Sequence, residues 1–190
     1  MPTALFSVSN KTGLIEFARG LTDLGWDFLA SGGTAHALRE AHIPVTEVSE
    51  YTKSPEILGG RVKTLHPLIH GGILARASAE DALDLQKIKG NYIDLVVCNL
   101  YPFQKTIAKS DTTFDDAIEN IDIGGVTLIR AAAKNYQRVI VLTNPIDYPM
   151  ILNELSKNGK VSLETRRILA NKAFSHTADY DAAISKYLNQ

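Results

Sequence analysis

Ser31, Gly32, Gly33 and Thr34 form a polar turn directly after the short apolar run 28–30, and a helical pattern follows them. Glycines let a backbone approach an anion closely, and the free N–H groups at the start of a helix attract negative charge. The two hydroxyl groups add further hydrogen-bond donors. This order of residues predicts a phosphate cradle at the end of a strand, although an ordinary connecting turn has the same pattern equally often.

A second set of candidate residues lies in the segment 49–72, where both helical and strand periodicity fail. A long irregular stretch inside a compact domain usually has a function. Within it, Arg61, Val62, Lys63 and Thr64 follow a pair of glycines, so two cations and a hydroxyl stand beside a turn. We expect this segment to bind an anionic ligand; the alternative is a solvated surface loop.

The run Asp122, Ile123, Gly124 and Gly125 places a carboxylate between two isoleucines, before a glycine pair that opens an apolar helix. Such a carboxylate has free backbone donors beside it. Lys134 follows twelve residues after Asp122, about two turns into the helix. The two side chains meet only if the tertiary fold allows it. The alternative is that Asp122 caps the helix while Lys134 is solvated near its C-terminal end.

The histidines and the cysteine do not form a metal or nucleophile site. His66 and His70 have the spacing of a metal pair on a helix, but Pro67 stands between them, without an accompanying carboxylate or cysteine cluster. We therefore expect no metal. Cys98 is interpreted as a small core residue rather than a nucleophile. The remaining histidines are interpreted as surface or packing residues: His36, His42 and His176.

The composition excludes several classes of protein. Of the 190 residues, 45% are hydrophobic and 22% charged, as in a folded soluble domain. The longest apolar runs are too short to cross a membrane, and a formal net charge of −1 provides no general attraction for nucleic acid. We therefore expect neither a membrane nor a nucleic acid as a partner. The single cysteine and the lack of a leader pattern predict a cytoplasmic protein.

Strand and helix patterns alternate along the chain. We predict strands at 4–8, 26–30, 43–45, 93–100 and 138–142. Helices are predicted at 14–24, 35–41, 79–89, 113–120, from about 126, at 145–157 and at 162–188. The alternation favours a parallel sheet covered by helices on both faces, with ligand-binding loops at the carboxyl ends of its strands. The loop Ser9, Asn10 and Lys11 would then lie beside the turn 31–34.

Several long motifs cover most of the chain. They are LFSVS at 5–9, ASGGT at 30–34, GGRVKTLHP at 59–67, CNLYPF at 98–103, IDIGGVTLIRAAAKN at 121–135, LETRR at 163–167 and AFSHTA at 173–178. Together they closely resemble the inosine monophosphate (IMP) cyclohydrolase family, which forms the N-terminal domain of bifunctional purine biosynthesis enzymes of the PurH type.

The resemblance implies a methylglyoxal-synthase-like (MGS-like) fold, an α/β three-layer sandwich with a mainly parallel sheet and C-terminal helices. It implies one domain, spanning 1–190, and a homodimer. The larger C-terminal transformylase domain that relatives carry has no counterpart in this sequence, so formyl transfer and folate binding are expected to be absent from the chain.

The activity implied by the resemblance is the last step of de novo purine biosynthesis. The carboxamide nitrogen of 5-formamidoimidazole-4-carboxamide ribonucleotide (FAICAR) attacks its own formyl carbon, and water leaves to give IMP. The resemblance implies no cofactor. Because the attack is intramolecular, the enzyme needs only to hold the two reacting arms, move protons and stabilise an oxyanion.

The resemblance also assigns roles to residues. Lys63 would orient or polarise the carboxamide, while Tyr101, Asp122 and Lys134 would transfer protons, with the division of acid and base roles left open. The implied substrate-binding residues are Ser9, Asn10, Lys11, Ser31, Gly32, Gly33, Thr34, Arg61, Val62, Lys63, Thr64, Cys98, Asn99, Asp122, Ile123, Gly124 and Gly125. The last three would offer backbone N–H groups to the oxyanion. Asn10 stands where many relatives carry aspartate, without an expected loss of binding.

Two other functions fit the same cradle. Domains of this fold act as allosteric ligand sensors in carbamoyl phosphate synthetase, which would bind a nucleotide without turnover. Methylglyoxal synthase, the other alternative, needs a carboxylate base at the cradle, and the sequence from Ser31 to Thr34 has no acid beside it.

Overall fold

The computed structural model describes residues 1–101, 103–108 and 112–189. Within them, five strands form one sheet: β1 (Thr3–Val8), β2 (Asp27–Ala30), β3 (Thr46–Glu47), β4 (Leu95–Asn99) and β5 (Ile140–Leu142). Their order is β3-β2-β1-β4-β5, and each neighbouring pair is parallel. The expected parallel sheet is confirmed.

Helices cover both faces of this sheet, which confirms the three-layer α/β architecture. They are α1 (Leu14–Asp23), α2 (Gly32–Glu40), α3 (Val48–Thr52), α4 (Pro67–Leu74), α5 (Ala79–Lys87), α6 (Phe103–Ile107), α7 (Phe114–Glu119), α8 (Gly124–Lys134), α9 (Tyr148–Asn158) and α10 (Leu163–Leu188). One group of contacting helices is α1, α2 and α9, and a second group is α4, α8 and α10. Among the described residues, none of these helices has both the length and the apolar character needed to span a membrane.

The two central strands form the middle of the core. Every residue of β4 is buried, and its sequence is almost continuously apolar because helices cover both faces of the strand. β1 pairs with it in register from Ala4 with Leu95 to Val8 with Asn99. Their carboxyl ends therefore lie side by side at one edge of the sheet.

The order of strands reverses beside β1, and ligands of open parallel sheets bind outside the carboxyl ends at such a point. Asn99 links the two loops that leave this edge. Its side-chain oxygen accepts hydrogen bonds from the backbone N–H groups of Ser9 and Asn10, both at 2.8 Å. Its side-chain nitrogen donates to the carbonyl of Asn10 at 3.0 Å. The β1 loop is therefore fixed in place by the end of β4.

Some strands and helices begin or end at residues other than those predicted. The third strand is Thr46–Glu47 rather than 43–45, because Pro44 has no N–H to donate to the ladder. Helix α2 begins at Gly32, earlier than predicted. The segment 49–72 contains most of α3, a 3-10 turn at Leu58–Gly60 and much of α4, each too short to show a clear period. Pro102, which is part of one of the family motifs, lies outside the described residues.

Candidate functional site

An open cavity of about 640 Å³ lies at the carboxyl ends of β1 and β2. Five separate segments contribute to it, and its lining residues are Ser7, Ser31, Gly59, Gly60, Arg61, Lys63, Thr64, Tyr101 and residues 118–125. A cavity of about 490 Å³ at the amino ends of the strands has only one charged lining residue, Asp27. The first cavity therefore holds the groups that could perform chemistry.

The predicted phosphate cradle lies at one side of this cavity. Gly32 is the first residue of α2 and has a φ of +47°. The Nζ atom of Lys63 lies 3.2 Å from the position that a Cβ on Gly32 would take, and the Nζ atom of Lys11 lies 3.9 Å from the corresponding position on Gly33. Two ammonium groups thus converge on the start of a helix, which already favours anions.

The hydroxyl groups of the cradle have different roles. The Oγ atom of Ser31 lies 3.3 Å from that of Ser7, and both residues line the cavity. Thr34 is buried, and its Oγ1 atom accepts from the N–H of Val8 at 3.1 Å and lies 3.2 Å from the Val8 carbonyl. The structure therefore does not place Thr34 as a ligand donor; it joins α2 to β1.

Both cations of the 59–65 segment are paired with carboxylates. Lys63 Nζ lies 2.8 Å from Oε1 of Glu56, and Arg61 forms an ion pair with Glu119 at the end of α7. No acid stands beside Ser31–Thr34 in the sequence, but the chain folds back and brings Glu56 to Lys63. The hydrogen bonds to Glu119 raise the pKa of Arg61, so this guanidinium stays charged.

Asp122 both lines the cavity and caps α8. Its Oδ1 atom accepts from the N–H of Gly125 at 2.7 Å, and its own N–H donates to the hydroxyl of Tyr180 at 2.8 Å. The Gly125 N–H is therefore not an oxyanion donor, contrary to the implied assignment. Gly124 is the first residue of α8, where a backbone N–H has no partner within the helix.

The structure does not bring Lys134 to the cavity. It is exposed in the last turn of α8, ten residues after Gly124, which corresponds to about 15 Å along the axis at 1.5 Å per residue. The alternative in which Asp122 caps the helix and Lys134 is solvated is thus the observed arrangement. By contrast, Tyr101 is 54% exposed and lines the cavity together with Asp122 and Lys63.

Besides Thr34, three further residues that were expected to contact the substrate do not line this cavity. Cys98 is only 1% exposed, and its Sγ atom contacts the carbonyl of Gly125, so it belongs to the core, as the sequence indicated, and does not line the cavity. Burial, and secondarily the charge of Asp122, raise the pKa of its thiol. The side-chain amide of Asn99 is used to hold the β1 loop. Val62 lines a smaller cavity behind the 59–65 segment.

His66 and His70 do not share a helix. His66 precedes α4, and its Nδ1 atom accepts a hydrogen bond from the N–H of Leu68 at 3.1 Å. Pro67 is the first residue of the helix, which explains the interruption seen in the sequence. Across the described ranges there is no group of three or more His, Cys, Asp or Glu side chains that could hold a metal ion.

Sequence reasoning missed several residues of the cavity. They are Ser7, Gly59, Gly60, Ile118, Glu119, Asn120 and Ile121. Ser7 carried a weak signal, since it is a polar residue within an apolar strand. The residues at the end of α7 gave no such signal in the sequence, because only tertiary packing brings them opposite the cradle.

Comparisons with known proteins identify relatives of the chain and of its fold. A family model described as "MGS-like domain" matches residues 13–127, and one described as "AICARFT/IMPCHase bienzyme" matches residues 132–190. The crystal structure of ForH is similar with a TM-score of 0.85 and 37% identity, over 97% of each chain.

Two curated relatives are both named bifunctional purine biosynthesis protein PurH. The protein of Desulfitobacterium hafniense (strain DSM 10664 / DCB-2) is 56% identical over 185 residues, or 97% of this chain. That of Prochlorococcus marinus (strain MIT 9211) is 58% identical over 189 residues, or 98% of this chain. The chain spans 36% of the length of each of these relatives.

Proposed function

This chain belongs to the MGS-like domain family, and from that membership we propose that it is an IMP cyclohydrolase domain acting in purine biosynthesis. The proposed reaction closes FAICAR to IMP with loss of water. One observation carries the proposal. Lys63, Tyr101 and Asp122 come from three separate segments and line the same cavity, beside a cradle suited to a phosphate.

In the proposed complex, the 5′-phosphate lies at the start of α2. Lys11 and Lys63 neutralise its charge, and the first N–H groups of the helix donate to its oxygens. Tyr101 and Ile123 are each more than half exposed and give the planar base an apolar surface next to Asp122. The ribonucleotide then extends from the cradle to the start of α8.

The proposed chemistry needs proton transfers around one new bond. The carboxamide nitrogen bonds to the formyl carbon, and the formyl oxygen leaves as water with one proton from the carboxamide nitrogen and one from the formamide nitrogen. We assign proton removal to the carboxylate of Asp122 and proton donation to the hydroxyl of Tyr101. The N–H groups of Ile123 and Gly124 stabilise the oxyanion. We assign no role in this chemistry to the Lys134 of the same chain.

The test is a direct cyclisation assay with the purified chain. We expect FAICAR to be converted to IMP, followed by the change in absorbance as the purine ring forms. The variant Lys63→Ala should lose most turnover, while Lys87→Ala, which removes an exposed lysine of α5, should keep it. A folded chain that binds IMP but forms none would contradict the proposal and support the ligand-sensor alternative.

A second candidate function is methylglyoxal synthase, and one observation favours it. Glu56 places a carboxylate near the cradle, which that elimination would need. Against it, Tyr101 and Asp122 would have no evident task in the cavity. The same protein incubated with dihydroxyacetone phosphate should release no phosphate if the IMP cyclohydrolase proposal is correct.

The relatives support a wider proposal about partners. They are bifunctional, and the remaining part of their length would carry the preceding formyl transfer by an AICAR transformylase. We propose that the domain works next to such an activity, as a homodimer in the cytoplasm. Sedimentation of the purified chain would test the dimer.

A further inference from the structure

Glu56 forms an ion pair with Lys63, the lysine that we propose to bind the phosphate of the substrate. Its Oε1 atom lies 2.8 Å from Nζ of Lys63, whose side chain is only 22% exposed, whereas that of Glu56 is 49% exposed. The Lys63 ammonium group also lies 3.2 Å from the Cβ position of Gly32, at the start of α2. A carboxylate of the chain itself therefore contacts a cation of the predicted phosphate cradle.

Gly60 lies directly beside this carboxylate. A Cβ on Gly60 would lie 2.6 Å from Oε1 of Glu56, and the residue has a φ of +86°. The positive φ favours glycine, because a side chain there would strain the backbone and would also displace the Glu56 carboxylate. The segment that brings Lys63 to the cradle thus also carries the acid that neutralises it.

The two lysines of the cradle differ in this respect. Within residues 1–101, 103–108 and 112–189, no ion pair to Lys11 is found, while Lys63 is paired with Glu56. If a ligand binds while Glu56 remains paired with Lys63, the net positive charge that attracts the ligand is lower by one. A ligand that displaces Glu56 gains the whole charge of Lys63.

We infer that Glu56 competes with the phosphate of the ligand at this cradle, holding Lys63 until the dianionic phosphate of a nucleotide displaces it. The identity of the nucleotide rests on the proposed function. A partly exposed ion pair contributes little, so a phosphate with two charges and several acceptor oxygens displaces the carboxylate. A neutral riboside cannot displace it. The pair therefore lowers the affinity of the cradle for phosphorylated ligands and leaves that for neutral ribosides unchanged.

The test compares the full chain with its Glu56→Gln variant, using calorimetry with IMP, inosine and inorganic phosphate. We expect Glu56→Gln to bind IMP and inorganic phosphate roughly two- to fivefold more tightly, because a weak competing ion pair is lost. The affinity for inosine should not change. The matched control is Glu164→Gln, which removes the same charge from an exposed pair with Arg167 on α10 and should alter no affinity.

Two results would overturn the inference. One is unchanged or weaker phosphate binding by Glu56→Gln with a normal free energy of unfolding, which would mean that Glu56 only positions Lys63. The other is an equal gain in affinity for inosine, which would indicate a general change of the cavity. These measurements need no turnover. Tighter phosphate binding without FAICAR closure contradicts the proposed function alone, and FAICAR closure with unchanged binding contradicts this inference alone.

Discussion

The Oδ1 atom of Asp122 accepts a hydrogen bond from the backbone N–H of Gly125 at 2.7 Å. One carboxylate therefore caps the start of α8 and faces the cavity, where we propose that it removes a proton. If that proposal is correct, stability and catalysis are coupled at this residue. Substitutions that keep or remove the capping oxygen can separate the two.

The first prediction concerns Asp122. Asp122→Ala should lower the free energy of unfolding by about 1 kcal/mol, because the N–H of Gly125 loses its acceptor. Asp122→Asn keeps an acceptor oxygen and should be close to wild type in stability. Both variants should lower turnover by about 10²- to 10⁴-fold, because neither has a proton-accepting carboxylate. Urea unfolding and the cyclisation assay measure the two effects.

A helix cap outside the cavity provides the control for Asp122. The Oγ atom of Ser78 accepts from the N–H of Asp81 at 3.2 Å at the start of α5. Ser78→Ala should also lower the free energy of unfolding by about 1 kcal/mol, with turnover unchanged. Wild-type turnover in Asp122→Asn would show that the carboxylate takes no part in the reaction.

The second prediction concerns the cradle. Gly32→Ala should weaken binding of inorganic phosphate and IMP, because the new methyl group would stand 3.2 Å from Nζ of Lys63. Gly25→Ala is the matched control, since Gly25 has a φ of +76° with no atom within 4 Å of its Cβ position. Both changes should destabilise the protein by roughly 1–2 kcal/mol through backbone strain. If both weakened phosphate binding equally, the cradle would lie elsewhere.

The third prediction separates two lysines. Lys63→Ala should lower turnover at least about tenfold more than Lys134→Ala, because only Lys63 lines the cavity, while Lys134 is exposed at the other end of α8. Steady-state rates at saturating FAICAR measure the difference. Equal loss in both variants would contradict the single-chain site. Recovery of activity on mixing the two proteins would then place Lys134 in the cavity of a second chain.

The fourth prediction concerns the loss of stability at acidic pH. Burial lowers the pKa of His70 and of His176 from the ordinary value of 6.5. The unfolded chain therefore binds more protons, so the free energy of unfolding is highest above pH 6.5 and falls as the pH drops through the folded-state pKa values. Replacing both histidines by glutamine should flatten the dependence between pH 7.5 and about 5.5.

Local sequence determined much of this fold. The apolar run of β4 required burial on both faces, and the strand–helix alternation required a parallel sheet, because those patterns reflect the immediate surroundings of each residue. The glycine pair after β2 and the cations near residue 61 indicated an anion site for the same reason. Pro44 shifted β3 by its own chemistry.

Tertiary structure alone decided which of the candidate residues meet. The path of the 53–65 segment brings Glu56 to Lys63, and the packing of α7 brings Glu119 to Arg61, contacts between residues whose side chains carry no local pattern. The 1.5 Å rise of α8 separates Lys134 from Asp122 although they share a motif. A motif places residues along one element, but a cavity is assembled from the ends of several elements, and their relative positions follow from packing of the whole core.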